Sequence, residues 1–208
     1  MMNEFDLHTQ IDLLRHGECE GGQIFRGKTD VRLSEVGQAK MQKVCFSIDP
    51  GWDVIVSSPL KRCALFAEQI SQDLGIPCEV DERLQEISFG DWDGQEIERV
   101  MDRYQEELTT WRHDPTSYTP PNGEPIRQFA LRISEVYDHL LTSHQGKKIL
   151  LIAHGGVIRM LISQVLAMPL STVNRIDMPY AGVSRVAVYH LEHEDVTKLL
   201  AHNFFPHS

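Results

Sequence analysis

Short runs of consecutive apolar residues, separated by longer amphipathic segments, organise this chain of 208 residues. A continuous apolar run is typical of a strand that is buried on both faces. On this basis we predict strands at 11–15, 52–56, 148–153 and 184–191, with a shorter one near 79–80. The strand at 184–191 is predicted to be the last element of the chain.

Apolar residues at helical spacing fill the segments between these strands. Ser34 is predicted to cap a helix that runs to about residue 46, and Gly75 is predicted to end a helix at 60–74. Further helices are predicted at 95–108, 126–143 and 157–166. Between residues 114 and 125 four prolines and a glycine indicate irregular structure.

Alternation of strands and helices predicts an α/β fold, a three-layer α/β/α sandwich with a mainly parallel sheet. The length fits one domain over residues 1–208. Within it, residues 92–126 are expected to form a helical and proline-rich lid region.

Charge and composition narrow the classes of partner. With 20 basic and 30 acidic residues, the net charge of −10 argues against nucleic-acid binding. No apolar stretch approaches a membrane span, and the first residues lack signal-peptide features, so we expect a cytoplasmic protein with no membrane partner. The four cysteines, which show no C-x-x-C pairing, suggest neither a zinc site nor disulfides: Cys19, Cys45, Cys63 and Cys78.

Two of the predicted strands end in the same way, with a histidine followed by glycine. His16 and Gly17 follow the run at 11–15, and His154 follows the run at 148–153. Ligands of parallel sheets bind outside the carboxyl ends of the strands, so both imidazoles are expected at one rim. Arg15 adds a fixed positive charge there. Two histidines and an arginine suit the handling of a phosphoryl group.

A different motif, at residues 22–29, satisfies the G-x-x-x-x-G-K-[ST] pattern of a phosphate-binding P-loop. That motif requires a strand directly before its first glycine and a helix at its lysine. Here the predicted strand ends near Arg15, and the next helix signal begins only at Ser34. A P-loop NTPase therefore remains a remote alternative.

Five sequence blocks, in matching order, resemble those of the histidine phosphatase superfamily, which contains the cofactor-dependent phosphoglycerate mutases. The first is Leu14-Arg15-His16-Gly17-Glu18, the defining motif of that superfamily. The others are the loop and helix start at 27–39, the second arginine motif at 57–64, the acid-bearing loop at 83–94, and the second histidine motif at 153–156. Together they span most of the chain.

The resemblance implies a phosphoglycerate mutase-like fold and a role for each matching residue. His16 would be the nucleophile that takes the phosphoryl group, and Arg15 and Arg62 would bind its oxygens. Glu86 would act as acid and base, although the nearby acids leave open that it is only a solvated carboxylate. His154 would hydrogen-bond the transferring group beside Gly155. No metal or cofactor is implied.

Two positions depart from the superfamily motif. Cys19 stands where threonine or serine is typical, and Gly22 stands where asparagine is typical. That asparagine commonly contacts the phosphoryl group. We expect Arg26, or backbone N–H groups around Gly22, to bind substrate in its place.

The short segment between Glu86 and His154 favours a phosphatase over a mutase. Among small bacterial members, the size and loop pattern are most similar to those of α-ribazole-5′-phosphate phosphatases of cobalamin biosynthesis. A broad-specificity sugar-phosphate phosphatase and a phosphoglycerate mutase are the alternatives, and a binding module that has lost catalysis is disfavoured. The expected partner is a small phosphomonoester, and a homodimer is left open.

Overall fold

A twisted sheet forms the middle layer of the computed structural model, which describes residues 8–48 and 51–204. Within these residues the sheet has six strands in the order β3-β2-β4-β1-β5-β6. In chain order the strands are β1 (His8–Arg15), β2 (Val54–Ser57), β3 (Cys78–Val80), β4 (Lys148–Ala153), β5 (Val183–His190) and β6 (Asp195–Ala201). The pairs β3/β2, β2/β4 and β4/β1 are parallel, whereas β5 runs antiparallel to both of its neighbours.

Helices cover both faces of the sheet, as the three-layer prediction requires. One face packs against α1 (Glu35–Ser47) and α2 (Lys61–Leu74), and the other against α5 (Ile126–Ser143) and α6 (Gly155–Val165). Short 3-10 turns lie between the larger elements at Glu82–Leu84, Gly90–Trp92 and Leu170–Arg175. No helix in the described ranges combines the length and the apolarity that a bilayer crossing demands.

Strand β4 shows why the central strands read as unbroken apolar runs. Ile149 and Leu151 belong to the core that contains α5 and α6, whereas Leu150 and Ile152 belong to the core that contains α1 and α2. Successive side chains of a strand point to opposite faces, so β4, which is covered on both sides, presents apolar residues to both cores.

The helix ends follow local chemistry. The Ser34 hydroxyl accepts a hydrogen bond from the N–H of Gly37 at 3.0 Å and so caps α1, as predicted. Helix α2 ends at Gly75, which has a φ of 67° in the left-handed region that favours glycine. The irregular segment at 114–125 and helix α5 also match their predictions.

The predicted helix at 95–108 is wrong in one respect, because it consists of two helices. These are α3 (Ile97–Arg103) and α4 (Gln105–His113), with Tyr104 between them at φ −130° and ψ 42°. The Tyr104 ring packs against Trp92, with ring centroids 5.7 Å apart. Trp92, Val100 and Leu108 form a small core of their own, which we call the Trp92 cluster. Packing around this indole takes precedence over helix continuity.

The prediction that the strand near 184–191 is the last element is also wrong. After β5 the chain turns back and adds β6 at the edge of the sheet. None of the β6 residues is fully buried, and charged residues interrupt the strand at Asp195 and Lys198. An edge strand of this kind carries little hydrophobic signal.

A buried carboxylate ties the middle of the sheet together. Asp12, on β1, is fully buried, and its two oxygens accept hydrogen bonds from Arg185 of β5 at 2.6 and 2.9 Å. The indole N–H of Trp52 donates to the same carboxylate at 2.9 Å. Removing one partner of such a buried ion pair leaves the charge of the other partner without a counter-charge, which destabilises the fold.

We predict that Asp12→Asn lowers the free energy of unfolding by about 3 kcal/mol, because Arg185 then loses its anionic partner inside the sheet. Urea denaturation followed by circular dichroism measures this change. Asp73→Asn, on the exposed side of α2, is the matched control and should stay within about 0.5 kcal/mol of wild type. Equal stability of the two variants would contradict the assigned role of Asp12.

Candidate active site

The parallel pairing of β1 with β4 brings the two sequence-predicted histidines together. The strands are in register up to Arg15 and Ala153, and the N–H of His16 donates to the carbonyl of Ala153 at 3.0 Å. His16 and His154 are therefore the next residues of adjacent strands, and their ring centroids lie 5.3 Å apart. As the sequence predicts, the two imidazoles share one rim of the sheet.

A contact between two backbones fixes the chain just after His16. A Cβ added to Gly17 would lie 2.4 Å from the carbonyl oxygen of Gly37, in the first turn of α1. A Cβ added to Gly37 would lie 2.1 Å from the carbonyl oxygen of Glu18. Only glycine allows the helix to approach this closely, so α1 holds the segment that carries His16.

His16 is held as a neutral imidazole with a defined tautomer. Its Nδ1 lies 2.8 Å from the carbonyl oxygen of Gly17. Because a carbonyl only accepts, Nδ1 carries the proton and Nε2 has a free lone pair. Burial is the largest cause that places the pKa of His16 well below its usual value, and the charges of Arg62 and Arg15 lower it further. Nε2 is thus prepared as a nucleophile at neutral pH.

His154 has the opposite tautomer. Its Nδ1 accepts a hydrogen bond from Nε of Arg62 at 3.2 Å, so its Nε2 carries the proton and donates to the Ser58 hydroxyl at 2.7 Å. Burial first, and then Arg62 and His16, lower the pKa of His154 well below its usual value. This fully buried ring aligns the Arg62 side chain.

Arg62 is buried completely, which is rare for a guanidinium. Its two terminal nitrogens donate to the carbonyls of Thr29 and Gly27 at 2.8 and 2.7 Å. The guanidinium therefore joins the loop at 27–29 to His154. All three of these acceptors are neutral, so none of them offsets the positive charge of the guanidinium.

Arg15 lies at the same rim with part of its hydrogen-bonding capacity unused. Its Nη1 donates to the carbonyl of Met178, and its guanidinium lies 4.1 Å from the centre of the Tyr180 ring. Its Nε is buried and has no hydrogen-bond partner in the described ranges 8–48 and 51–204. Burial lowers the pKa of Arg15 more than any other cause. A bound anion would satisfy this donor.

Tyr180 connects Arg15 with Arg26. Nη1 of Arg26 donates to the Tyr180 hydroxyl at 3.2 Å, and Nη2 donates to the carbonyl of Gly22 at 2.6 Å. Gly22 is exposed and contacts Arg26 through its carbonyl oxygen. The backbone of Gly22 therefore helps to hold the Arg26 side chain in place. The expected contact between substrate and the N–H groups around Gly22 stays a prediction.

Glu86 is fixed by backbone N–H groups. Its two carboxylate oxygens accept from Ile87 and from Gly156, each at 3.0 Å. A Cβ on Gly156 would lie 2.3 Å from the nearer oxygen, so this glycine gives the carboxylate its place at the start of α6. Gly155, the other glycine there, packs against the Arg15 guanidinium, which would lie 3.2 Å from an added Cβ.

The two nearby acids are occupied elsewhere. Asp81 binds Arg83, with the closest atoms 2.6 Å apart, and Glu82 accepts from Gln85 at 2.8 Å. Of the three carboxylates weighed in the sequence, Glu86 is therefore the one directed to the start of α6.

The arginine that positions Glu86 was not predicted from the sequence. Arg132, on α5, donates through Nη1 to the carbonyls of Arg83 and Gln85, the latter at 2.8 Å. The Glu124 carboxylate holds the same guanidinium at 3.0 and 2.7 Å. Ser58 and Arg159 were also missed. A lone arginine on a predicted helix is normally a surface residue, so nothing in the sequence indicated that Arg132 or Arg159 belongs to the site.

The P-loop pattern does not have the structure that a P-loop needs. After β1 ends at Arg15, no helix begins before α1 at Glu35. The carbonyls of Gly27 and Thr29 point to Arg62, an arrangement that does not bind phosphate. No group of three or more histidine, cysteine or acidic side chains is placed to hold a metal ion, as far as the described residues show.

Comparisons with known proteins agree with this site. The model of the histidine phosphatase superfamily, branch 1, matches residues 11–199. A Hydrogenobacter thermophilus protein provisionally named phosphoserine phosphatase 2 is 30% identical over 192 residues, which are 90% of this chain and 92% of the relative. The adenosylcobalamin/α-ribazole phosphatase of Escherichia coli is 26% identical over 160 residues, covering 76% and 79%.

Among solved structures, a mycobacterial glucosyl-3-phosphoglycerate phosphatase superposes with a TM-score of 0.83 at 25% identity, over 94% of this chain and 99% of the other. The match of the family model over nearly the whole chain, together with these relatives, determines the family. The chain belongs to branch 1 of the histidine phosphatase superfamily and is a phosphatase.

Proposed function

We propose that this phosphatase hydrolyses phosphomonoesters through a phosphohistidine formed on His16. The observation that carries the proposal is the proton arrangement of this ring. Nδ1 is bound to the Gly17 carbonyl, and Nε2 is unprotonated beside two guanidiniums. A neutral nucleophile surrounded by fixed positive charge is what attack on an anionic phosphoryl group requires.

In the first step Nε2 of His16 attacks phosphorus, and the bond from phosphorus to the alcohol oxygen breaks. Glu86 donates a proton to that oxygen, and the alcohol leaves. Arg15 and Arg62 stabilise the negative charge that spreads over the phosphoryl oxygens. The ring becomes positive while phosphorylated, and the Gly17 carbonyl, still bound to Nδ1–H, stabilises that charge.

In the second step water attacks the phosphohistidine and gives its proton to Glu86. Phosphate leaves, and His16 returns to its neutral form. In the structure both ring nitrogens of His154 have protein partners, Arg62 and Ser58. We therefore assign His154 the role of orienting Arg62, and its direct contact with the phosphoryl group stays a prediction.

The identity of the leaving group is the finer part of the proposal. The α-ribazole-5′-phosphate prediction, with its link to cobalamin biosynthesis, is supported by the name of the Escherichia coli relative. Other relatives bear the names of phosphoserine and glucosyl-3-phosphoglycerate phosphatases. The cytoplasmic location, the homodimer and the lid role of residues 92–126 also stay predictions.

A first prediction concerns the nucleophile. His16→Ala should abolish turnover of p-nitrophenyl phosphate and the acid-labile, base-stable labelling expected of a phosphohistidine, because no other nitrogen occupies its place. Rapid quench with ³²P-labelled substrate measures the phosphoenzyme. The exposed His139 on α5 supplies the control, and His139→Ala should keep full labelling. Normal labelling of the His16 variant would refute the proposal.

A second prediction concerns the buried guanidinium. Arg62→Ala should lower kcat/KM, because the transition state loses about 2.7–4 kcal/mol of stabilisation. This is the cost of removing one preorganised donor that stabilises charge. Lys61→Ala, which removes the adjacent exposed cation, is the control and should remain near wild type. Circular dichroism of the variants verifies folding. A loss below about tenfold in a folded Arg62 variant would count against this role.

A third prediction concerns pH. Because burial and two arginines keep the pKa of His16 low, the ring stays neutral as the pH falls below 6.5. The burst rate with p-nitrophenyl phosphate, whose leaving group needs no acid, should change by no more than about twofold between pH 8 and pH 5.5. An ordinary histidine would lose about tenfold over that range. Stopped-flow absorbance distinguishes the two profiles.

A further inference from the structure

A narrow cleft opens beside Glu86, the carboxylate proposed to protonate the leaving alcohol. In-line attack by His16 places the alcohol oxygen opposite the nucleophile and within reach of the acid. The cleft is therefore the space available to the alcohol. Apolar side chains form most of its wall, together with three polar residues, Glu86, Arg159 and Asn174.

Arg159 is the cation of this cleft, and its side chain is held in place. It lies on α6, about one turn after Gly156, whose N–H binds Glu86, and its Nε donates to the carbonyl of Ile176 at 2.8 Å. Its two terminal nitrogens make no hydrogen bond or ion pair within the part of the chain that the structure describes. A half-buried guanidinium with a fixed stem and two unused donor nitrogens is prepared for a planar anion.

Among residues 8–48 and 51–204, no carboxylate forms an ion pair with Arg159. Glu86 is in the same cleft but uses its oxygens to accept from Ile87 and Gly156, and it forms no ion pair with Arg159. Arg15 lies close to Arg159, and the charge of Arg159 lowers the pKa of Arg15. Positive charge thus exceeds negative charge around the leaving group, although the whole chain carries −10. A substrate with a second anionic group would balance it.

Asn174 faces the same space from the turn at Leu170–Arg175. Its Nδ2 donates to the carbonyls of Trp111 and Arg112 at 3.0 and 3.3 Å, so Oδ1 is the atom of this amide that can still accept a hydrogen bond. The cleft therefore offers a paired donor at Arg159 and one acceptor at Asn174. This combination matches a carboxylate with a neighbouring hydroxyl or ammonium group.

The size of the cleft favours a slender leaving group. Its volume is about 50 Å³, well below the roughly 150 Å³ that holds a benzene ring. Trp111, Phe89 and Phe129 border it, and all three take part in packing contacts. A chain of a few carbon atoms fits such a space better than a ring system.

We propose that Arg159 binds a carboxylate of the leaving group, so that the preferred substrates are small phosphorylated hydroxy acids. This inference rests on the proposed phosphatase reaction and adds the substrate class to it. The phosphoryl group lies between His16 and the two catalytic arginines, while the carboxylate lies at Arg159. α-Ribazole has no carboxylate and gains nothing from this contact.

Matched substrates test the proposal. 3-Phosphoglycerate and glycerol 3-phosphate differ by a carboxylate in place of a hydroxymethyl group, and phosphoserine differs from phosphoethanolamine by its carboxylate. The wild-type enzyme should prefer the acid in each pair by about 10- to 100-fold in kcat/KM, the range expected for hydrogen bonds to a charged group. α-Ribazole-5′-phosphate and a sugar phosphate complete the panel.

Arg159→Met should remove that preference. We expect kcat/KM for the acids to fall by about 10- to 100-fold and kcat/KM for the analogues without the carboxylate to change by less than about threefold. Arg159→Lys should recover part of the preference, because it keeps the charge without the fork. Arg175→Met removes an exposed arginine beside Asn174 and should leave the preference unchanged.

The outcomes separate this inference from the proposed reaction. Hydrolysis of the panel without any preference for the acids, or with α-ribazole-5′-phosphate as the best substrate, would overturn the role of Arg159 and leave the reaction intact. An equal loss for acids and analogues in Arg159→Met would also overturn it, since a general structural defect acts on both. Absence of phosphoenzyme with every substrate would overturn the reaction itself.

Discussion

The pairing of two parallel strands is the constraint on which the site depends. β1 and β4 are distant in the chain, yet their register ends at the same level, and each is followed at once by a histidine. The distance between the rings is therefore set by the spacing of neighbouring strands and requires no flexible loop. The Asp12–Arg185 pair and the contact between Gly17 and Gly37 hold this part of the sheet and the turn that leaves it.

Electrostatics then distinguishes the two imidazoles. Both rings are buried among guanidiniums, and both are neutral, but their partners fix different tautomers. A carbonyl beside His16 exposes the lone pair of Nε2, whereas the N–H of Arg62 occupies the lone pair of His154. The His16 ring is free to react, whereas the His154 ring orients Arg62. The same two side chains become chemically different through their neighbours alone.

Much of this arrangement could be predicted from the sequence, because strands covered on both faces are rich in apolar residues. The runs before His16 and His154 located both corners, and Ser34 and Gly75 marked helix ends through capping chemistry. Tyr104 and β6 could not be predicted. The first breaks a helix in order to pack on Trp92, and the second is an edge strand with weak apolar periodicity. Arg132 and Arg159 act through contacts with distant carbonyls, and sequence spacing does not encode such contacts.

The burial of the two histidines also affects how the protein responds to acid. In the unfolded chain each ring would take up a proton near pH 6.5, whereas in the native state its pKa lies well below that value. The unfolded state therefore binds more protons as the pH falls below 6.5, and proton linkage shifts the equilibrium toward unfolding. The feature that keeps the nucleophile reactive in mild acid is thus also a source of acid lability for the native state.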